Sequence, residues 1–243
     1  MKSTLPATHF FRQFLLFALT VIFLMTVVRA AYGLWQFPKL ADTEAFIPFF
    51  LQGLRFDLAL TGLICIIPLV LGSLLAMTGA TRALAKFLVT TFLCLGLLMI
   101  LMLELITPWF VDTQGLRPDI HLLGGVENPV ESVKGVANDH LIPLIVGSVL
   151  CVLVLIAFWA RLEVPRFLRY RISVPGALVM SIIGGALCVL AIWSNIDPNK
   201  TALSPGDALI STDSTVNDLA MNSTYKTLYS LLQPLIEKIP NGS

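Results

Sequence analysis

Five predominantly apolar stretches, each about 20 residues long, constrain this chain more than any other feature. A helix of that length spans the hydrocarbon core of a bilayer, which is about 30 Å thick. Within hydrocarbon each backbone amide and carbonyl needs an internal partner, and a helix supplies one for nearly all of them. The sequence therefore predicts an all-α membrane protein with five transmembrane helices. The predicted spans are 14–34, 58–77, 87–106, 141–160 and 174–193.

Composition supports a membrane protein and gives no reason to expect a nucleic-acid partner. The chain is 56% hydrophobic and only 13% charged, with a net charge of +1, whereas charged residues make up about a quarter of a soluble domain. Each cysteine lies in a different apolar stretch, which favours small packing residues over a disulfide framework and leaves thiolate metal ligation as the alternative. These are Cys65, Cys94, Cys151 and Cys188.

The distribution of basic residues predicts the orientation of the helices, because lysine and arginine are retained on the cytoplasmic side. One set of flanks carries Lys2, Arg12, Arg82, Lys86, Arg161, Arg166, Arg169 and Arg171. The opposite flanks carry most of the carboxylates. We therefore expect the N-terminus in the cytoplasm and the C-terminus outside.

The segments on the predicted outer side have patterns of their own. Residues 36–57 predict a helix at the membrane interface that runs into the second span and is bent or interrupted at Pro48 and Gly53. Residues 107–140 form a predicted outer loop with a turn at Pro118, followed by a helix that starts at Pro129 with Asn128 as its N-cap. Interfacial helices are thus expected on the outer face.

The chain divides into two predicted regions. Residues 1–193 form the five-helix transmembrane domain, and residues 194–243 form an extracytoplasmic linker and a juxtamembrane segment. Residues 194–214 are rich in polar residues and proline, which is typical of an exposed linker. Apolar positions at helical spacing then predict one short amphipathic helix from Thr215 to Leu232.

The sequence holds no complete catalytic set and no zinc-ligand spacing, so no catalytic or metal-binding residue is assigned. The remaining candidates are charged residues near the bilayer, whose placement there costs free energy. Arg55, Asp57, Glu104 and Arg117 form a candidate lipid-binding site, with Arg29 nearby in the first span. Arginine suits phosphate recognition. The alternative is that Arg29, Glu104, Arg55 and Asp57 pair with one another or extend to the headgroups and so fix the helices.

Four segments carry a resemblance to a known family. They are GLRFDL at 53–58, FVDTQGLRPD at 110–119, NPVESV at 128–133 and VNDLAMNSTY at 216–225. In this order, within a five-helix frame, they resemble the N-terminal membrane region of the lipoteichoic acid synthase-like transferases, which belong to the alkaline phosphatase and sulfatase superfamily. The resemblance covers nearly the whole chain.

The resemblance implies a multi-pass protein of the bacterial cytoplasmic (inner) membrane that anchors a phosphoglycerol or phosphoethanolamine transferase. In that family a large extracytoplasmic domain follows, and it holds the nucleophile and a divalent metal such as manganese. Nothing in this chain matches that domain, so we expect no cofactor here. The expected partners are anionic phospholipid and a transferase domain that is missing or separate. The chain is then either a fragment or a membrane region that works alone, and the alternative function is a non-enzymatic scaffold or partner-binding protein.

Overall fold

The computed structural model describes residues 7–42, 44–120, 129–162, 172–194 and 203–236. In these ranges the chain forms helices and no strand. The helices are α1 (Ala7–Trp35), α2 (Phe37–Asp42), α3 (Phe46–Leu75), α4 (Arg82–Gln114), α5 (Pro129–Arg161), α6 (Val174–Trp193), α7 (Ser214–Ala220) and α8 (Ser223–Ile236).

Five helices in the described part of the chain are long and apolar enough to cross a bilayer, which confirms the prediction. They are α1, α3, α4, α5 and α6. The protein is therefore an all-α membrane protein with five candidate transmembrane helices. All four cysteines are free thiols.

The helix α3 is longer than its predicted span, since it begins at Phe46 and continues unbroken through Pro48 and Gly53. Pro48 lies in the first turn, where the amide that proline lacks would have no partner within the helix. The 30 residues of α3 measure about 45 Å along the axis, well beyond the about 30 Å of hydrocarbon. The predicted interruption at Pro48 and Gly53 is therefore wrong. The interfacial helix predicted within residues 36–57 corresponds to α2 and the first turns of α3.

The helices α4 and α5 also exceed their predicted spans. Residues 107–114, predicted as part of an outer loop, are the last two turns of α4, with Pro108 inside the helix. The helix α5 begins at Pro129, as the sequence predicts, and continues without a break into the fourth span. The predicted cap Asn128 lies outside the described residues.

The chain falls into two compact units, and four helices, α1, α3, α4 and α5, contribute part of their length to each. The first unit consists of Met1–Leu24, Asp57–Leu98 and Leu153–Leu203, and the second of Met25–Phe56, Met99–Val152 and Ser204–Ser243.

Close packing of α3 against α6 characterises the first unit. A Cβ on Gly62 would lie 2.7 Å from the backbone oxygen of Cys188, so only glycine allows the two backbones to approach this closely. The hydroxyls of Ser73 and Ser181 are 2.5 Å apart. Ser181 lies in a π-helical segment of α6, Met180–Gly184. Small residues and one polar pair thus hold these two helices together.

The second unit contains the end of α1, all of α2, the start of α3, the end of α4, the start of α5 and the C-terminal helices α7 and α8. Its apolar core includes residues of α1, α2, α3, α4 and α7. The buried members are Tyr32, Leu40, Ala45, Phe49, Val111, Val216, Leu219 and Ala220. The C-terminal segment is therefore packed on the ends of membrane helices, and this packing positions the polar residues described below.

Candidate functional site: a buried polar network under the C-terminal helices

An ion pair between Glu104 and Arg117 forms the centre of the site. After α4 ends, Gly115 adopts a left-handed conformation (φ 71°) that favours glycine, and its amide bonds to the carbonyl of Val111 at 2.9 Å. Arg117 follows, and its Nη1 donates to both carboxylate oxygens of Glu104 at 2.8 and 2.7 Å. The two residues are only 1% and 6% exposed. The pair is thus an almost fully buried salt bridge.

The charge of Glu104 keeps Arg117 protonated despite its burial. Burial lowers the pKa of this guanidinium, but the charge and hydrogen bond of Glu104, together with Tyr32 and Asp218, outweigh that effect. The net result is a pKa raised above the usual value for arginine. Arg117 therefore remains cationic at every pH at which the protein would be studied.

Pro108 explains why a tyrosine lies beside this pair. Proline has no amide hydrogen, so the carbonyl of Glu104, four residues earlier, loses its partner within the helix. The hydroxyl of Tyr32 donates to that carbonyl at 2.9 Å. The guanidinium of Arg117 lies over the Tyr32 ring, 5.0 Å from its centroid, in a cation–π contact. Tyr32 of α1 thus replaces the hydrogen bond that α4 lacks at Pro108 and also stabilises the buried guanidinium of Arg117.

The C-terminal segment forms two helices where the sequence predicts one. Asp213 caps α7 by accepting a hydrogen bond from the amide of Val216 at 3.0 Å. The chain becomes extended at Met221 (ψ −178°), and Asn222 then accepts from the amide of Tyr225 at 2.7 Å. Asn222 is thus the N-cap of α8, and this is the signal that the sequence interpretation missed.

The N-terminus of α8 points at the carboxylate of Glu104. The amide of Ser223 donates to Oε1 of Glu104 at 2.9 Å, and the Ser223 hydroxyl accepts from Nη1 of Arg117 at 2.9 Å. That hydroxyl also lies 2.6 Å from the hydroxyl of Thr107. A carboxylate at a helix N-terminus is favoured by the helix dipole and by the unpaired amides there. Glu104 therefore binds both Arg117 and the start of α8.

A second ion pair holds the segment after α4. Asp218 accepts hydrogen bonds from the backbone amide of Arg117 and from Nζ of Lys226, the latter at 2.8 Å. Lys226 also donates to the Arg117 carbonyl at 3.1 Å. Further along α8, the Thr227 hydroxyl donates to the carbonyl of Pro118 at 3.2 Å, and the amide of Ile120 donates to Ser230 at 3.2 Å. Residues 117–120 thus find partners on α7 and α8.

Apolar contacts surround the network. Val216, Leu219 and Ala220 of α7 are almost completely buried in the core of the second unit. On α8, the ring of Tyr225 packs edge-to-face on Phe56, with ring centroids 5.2 Å apart. A favourable pair of this kind contributes about 0.5–1.5 kcal/mol beyond the area that it buries.

The four predicted site residues differ in their partners and in their burial. The structure joins Glu104 and Arg117 to each other, a pair that the sequence interpretation did not predict. Arg55 is half-buried and donates to Oε1 of Gln52 one turn earlier at 2.8 Å. Asp57 is fully buried and belongs to the first unit. Lipid binding by these residues stays a prediction.

Arg29, the other charged residue noted in the sequence, lies against the glycine of α3. Its side chain is 2% exposed. A Cβ built on Gly53 would lie 2.0 Å from Nε of Arg29 and 2.2 Å from Cζ. Gly53 is therefore required for the close approach of this guanidinium and does not interrupt α3.

The described residues contain no group of three or more histidine, cysteine, aspartate or glutamate side chains that could hold a metal ion. The carboxylates of the network accept hydrogen bonds from Arg117, from Lys226 and from backbone amides. This arrangement is suited to holding the C-terminal helices against the ends of the membrane helices.

These features define the class of protein: an all-α, multi-pass membrane protein whose C-terminal helices are fastened to its membrane helices by a buried polar network. No protein-family model matches the chain, and no solved structure matches it.

Proposed function

We propose that this chain is the membrane anchor of a lipid head-group transferase of the lipoteichoic acid synthase-like family, and that it holds an extracytoplasmic catalytic domain at the outer leaflet of a bacterial cytoplasmic membrane. The observation that carries the proposal is the fastening of α7 and α8. Glu104 of a membrane helix binds the amide of Ser223, and Asp218 of the C-terminal segment binds the amide of Arg117.

A segment fastened in this way leaves the membrane helices in a fixed direction. An anchor that orients a catalytic domain needs that property, because a transferase acting on lipid must present its active site at headgroup depth. The resemblance supplies the chemistry of the proposal, namely transfer of phosphoglycerol or phosphoethanolamine from a lipid donor. In the proposal the catalytic residues and the divalent metal belong to that domain, carried on the same polypeptide or on a separate one.

The test is transfer activity in material purified from native host membranes through a tag at the N-terminus of the chain. We expect the purified material to contain a sulfatase-fold domain and to convert fluorescent phosphatidylglycerol or phosphatidylethanolamine to diacylglycerol. Chelation of divalent metal should abolish the conversion, and added manganese should restore it. Purified material without such a domain and without conversion of either lipid would favour the alternative, a membrane scaffold that binds partner proteins.

A further inference from the structure

We infer that the membrane helices of the second unit, together with residues 115–120 that follow α4, form a receptor for residues 204–236 that does not depend on the covalent connection, so that this segment stays bound after the chain is cut between residues 195 and 202. The inference goes beyond the transferase proposal and does not rest on it. It concerns only whether the contacts of α7 and α8 are sufficient for binding.

The polar contacts between the segment and the receptor are reciprocal. Glu104, on the receptor side, accepts from the backbone amide of Ser223 in the segment. Asp218, on the segment side, accepts from the backbone amide of Arg117 in the receptor. Each partner thus offers a carboxylate to a backbone amide of the other. Lys226 adds a hydrogen bond from the segment to the receptor carbonyl at residue 117.

Several residues of the segment are completely buried against the receptor. Asn222, Ser223 and Thr224 have no exposed surface, although all three are polar. A segment that left the receptor would expose Val216, Leu219 and Ala220 as well. Buried hydrogen bonds to charged groups contribute more than neutral ones, and apolar area adds about 25 cal/mol per Å². The bound state therefore combines specific polar contacts with an apolar interface.

Hydrogen bonds within the segment stabilise much of its bound conformation. Asp213 caps α7, and Asn222 caps α8. The side chain of Asn217 accepts from the amides of Ile210 and Ser211 at 2.9 and 2.8 Å and donates to the Ser211 carbonyl at 2.8 Å. Preorganisation of this kind lowers the entropic cost of binding.

The experiment introduces a protease recognition sequence between Asn199 and Lys200 of the full chain. The protein is purified in detergent, cut to completion and passed through a size-exclusion column. We expect the C-terminal fragment to co-elute with the membrane helices, in 1 M NaCl as well as in low salt, because salt screens exposed charges far more than buried ones. Elution of the fragment alone at low salt would overturn the inference, and release only at high salt would show that exposed charges hold it and would also overturn it.

Matched variants test whether the buried network is the recognition element. Glu104→Gln removes the buried charge, and Glu44→Gln makes the same change at an exposed position. The half-life of the cut complex should fall by about 100-fold in the first variant and stay unchanged in the second. Asp218→Asn repeats the test within the segment and leaves every spanning helix unaltered. Equal retention of the fragment in Glu104→Gln, Asp218→Asn and the parent protein would refute the buried network as the recognition element.

Discussion

Nη1 of Arg117 donates to both carboxylate oxygens of Glu104, and the same carboxylate accepts the first amide of α8 from Ser223. A buried carboxylate left with one of these partners alone would have unsatisfied lone pairs at a substantial cost. The carboxylate needs both partners. Arg117 precedes the fourth span in the sequence, and Ser223 follows the fifth. The ion pair therefore belongs to the attachment of the C-terminal segment as much as to α4.

Removing one partner of the pair should destabilise the second unit strongly. Glu104→Gln leaves the buried guanidinium of Arg117 without its counter-charge, and breaking a buried pair in this way costs about 3–5 kcal/mol. The measurement is the free energy of unfolding in bicelles, with Glu44→Gln as the matched exposed control. A double variant, Glu104→Leu with Arg117→Met, should recover most of the loss because it leaves no buried charge unpaired. A double variant as unstable as Glu104→Gln would contradict this account.

The role of Tyr32 should depend on Pro108. Tyr32→Phe keeps the ring beneath Arg117 but removes the hydroxyl that satisfies the Glu104 carbonyl, which should cost about 1–3 kcal/mol. In a Pro108→Ala background the alanine amide can donate to that carbonyl, so the cost of Tyr32→Phe should drop by at least half. Unfolding free energies of the two single variants and the double variant give the coupling. Strictly additive effects would show that the two residues do not serve the same carbonyl.

Gly53 should tolerate no side chain while Arg29 stays in place. Gly53→Ala puts a methyl group 2.0 Å from Nε of Arg29, and forced overpacking typically costs about 1–3 kcal/mol. Gly33→Ala is the control, because its nearest neighbour, a ring carbon of Phe49, would be at an ordinary 3.6 Å. Thermal unfolding in detergent should show a lower midpoint for Gly53→Ala only. Equal midpoints in the two variants would mean that the guanidinium moves aside freely.

The five spans could be predicted because length and hydrophobicity alone decide whether a segment can cross hydrocarbon. The same criterion underestimates the lengths of α3 and α4, because it recognises only the apolar part of each helix. A helix continues beyond its apolar part for as long as its backbone groups find hydrogen-bond partners. Pro48 and Gly53 suggest a break by their intrinsic preferences. The position of Pro48 in the first turn and the packing of Arg29 on Gly53 override those preferences.

Only part of the site could be predicted from the sequence. Glu104 and Arg117 stand out because charge near a bilayer requires a partner. Ser223 lies 119 residues from Glu104, and no periodicity relates positions so far apart. In the sequence, Asp218 and Lys226 resemble residues on the solvent-exposed face of an ordinary amphipathic helix. The split into α7 and α8, caused by the cap at Asn222, brings these residues into the network.

The N-cap of α8 gives a local test of the docked segment. Asn222→Ala removes the acceptor of the Tyr225 amide and should cost about 0.5–2 kcal/mol. Hydrogen exchange at that amide should accelerate, while exchange in α6 should not change. Asn222→Ser, which retains a capping oxygen, should restore most of the protection. If Asn222→Ala exchanges at the parental rate, the cap contributes nothing to the stability of α8.

The predicted orientation can be tested without disturbing the helices. A reporter that is active only outside the cytoplasm should be active when fused after Ser243 and inactive when inserted at Gly79, between α3 and α4. The reason is the excess of lysine and arginine on the flanks that include Arg82 and Lys86. The opposite pair of activities would reverse the assignment of both faces and move the docked segment to the cytoplasmic side.

Lipid binding by Arg55 is a prediction that rests on its half-buried position on α3 and on the affinity of guanidinium groups for phosphate. Arg55→Ala should lower the amount of phosphatidylglycerol that the purified chain retains in native mass spectrometry, while retention of phosphatidylcholine stays constant. The exposed Arg161, on the predicted cytoplasmic end of α5, supplies the control Arg161→Ala. Equal losses in the two variants would indicate attraction of anionic lipid by any exposed cation. Unchanged retention in Arg55→Ala would leave Arg55 with its hydrogen bond to Gln52, and the candidate site would then serve only to fasten the C-terminal helices.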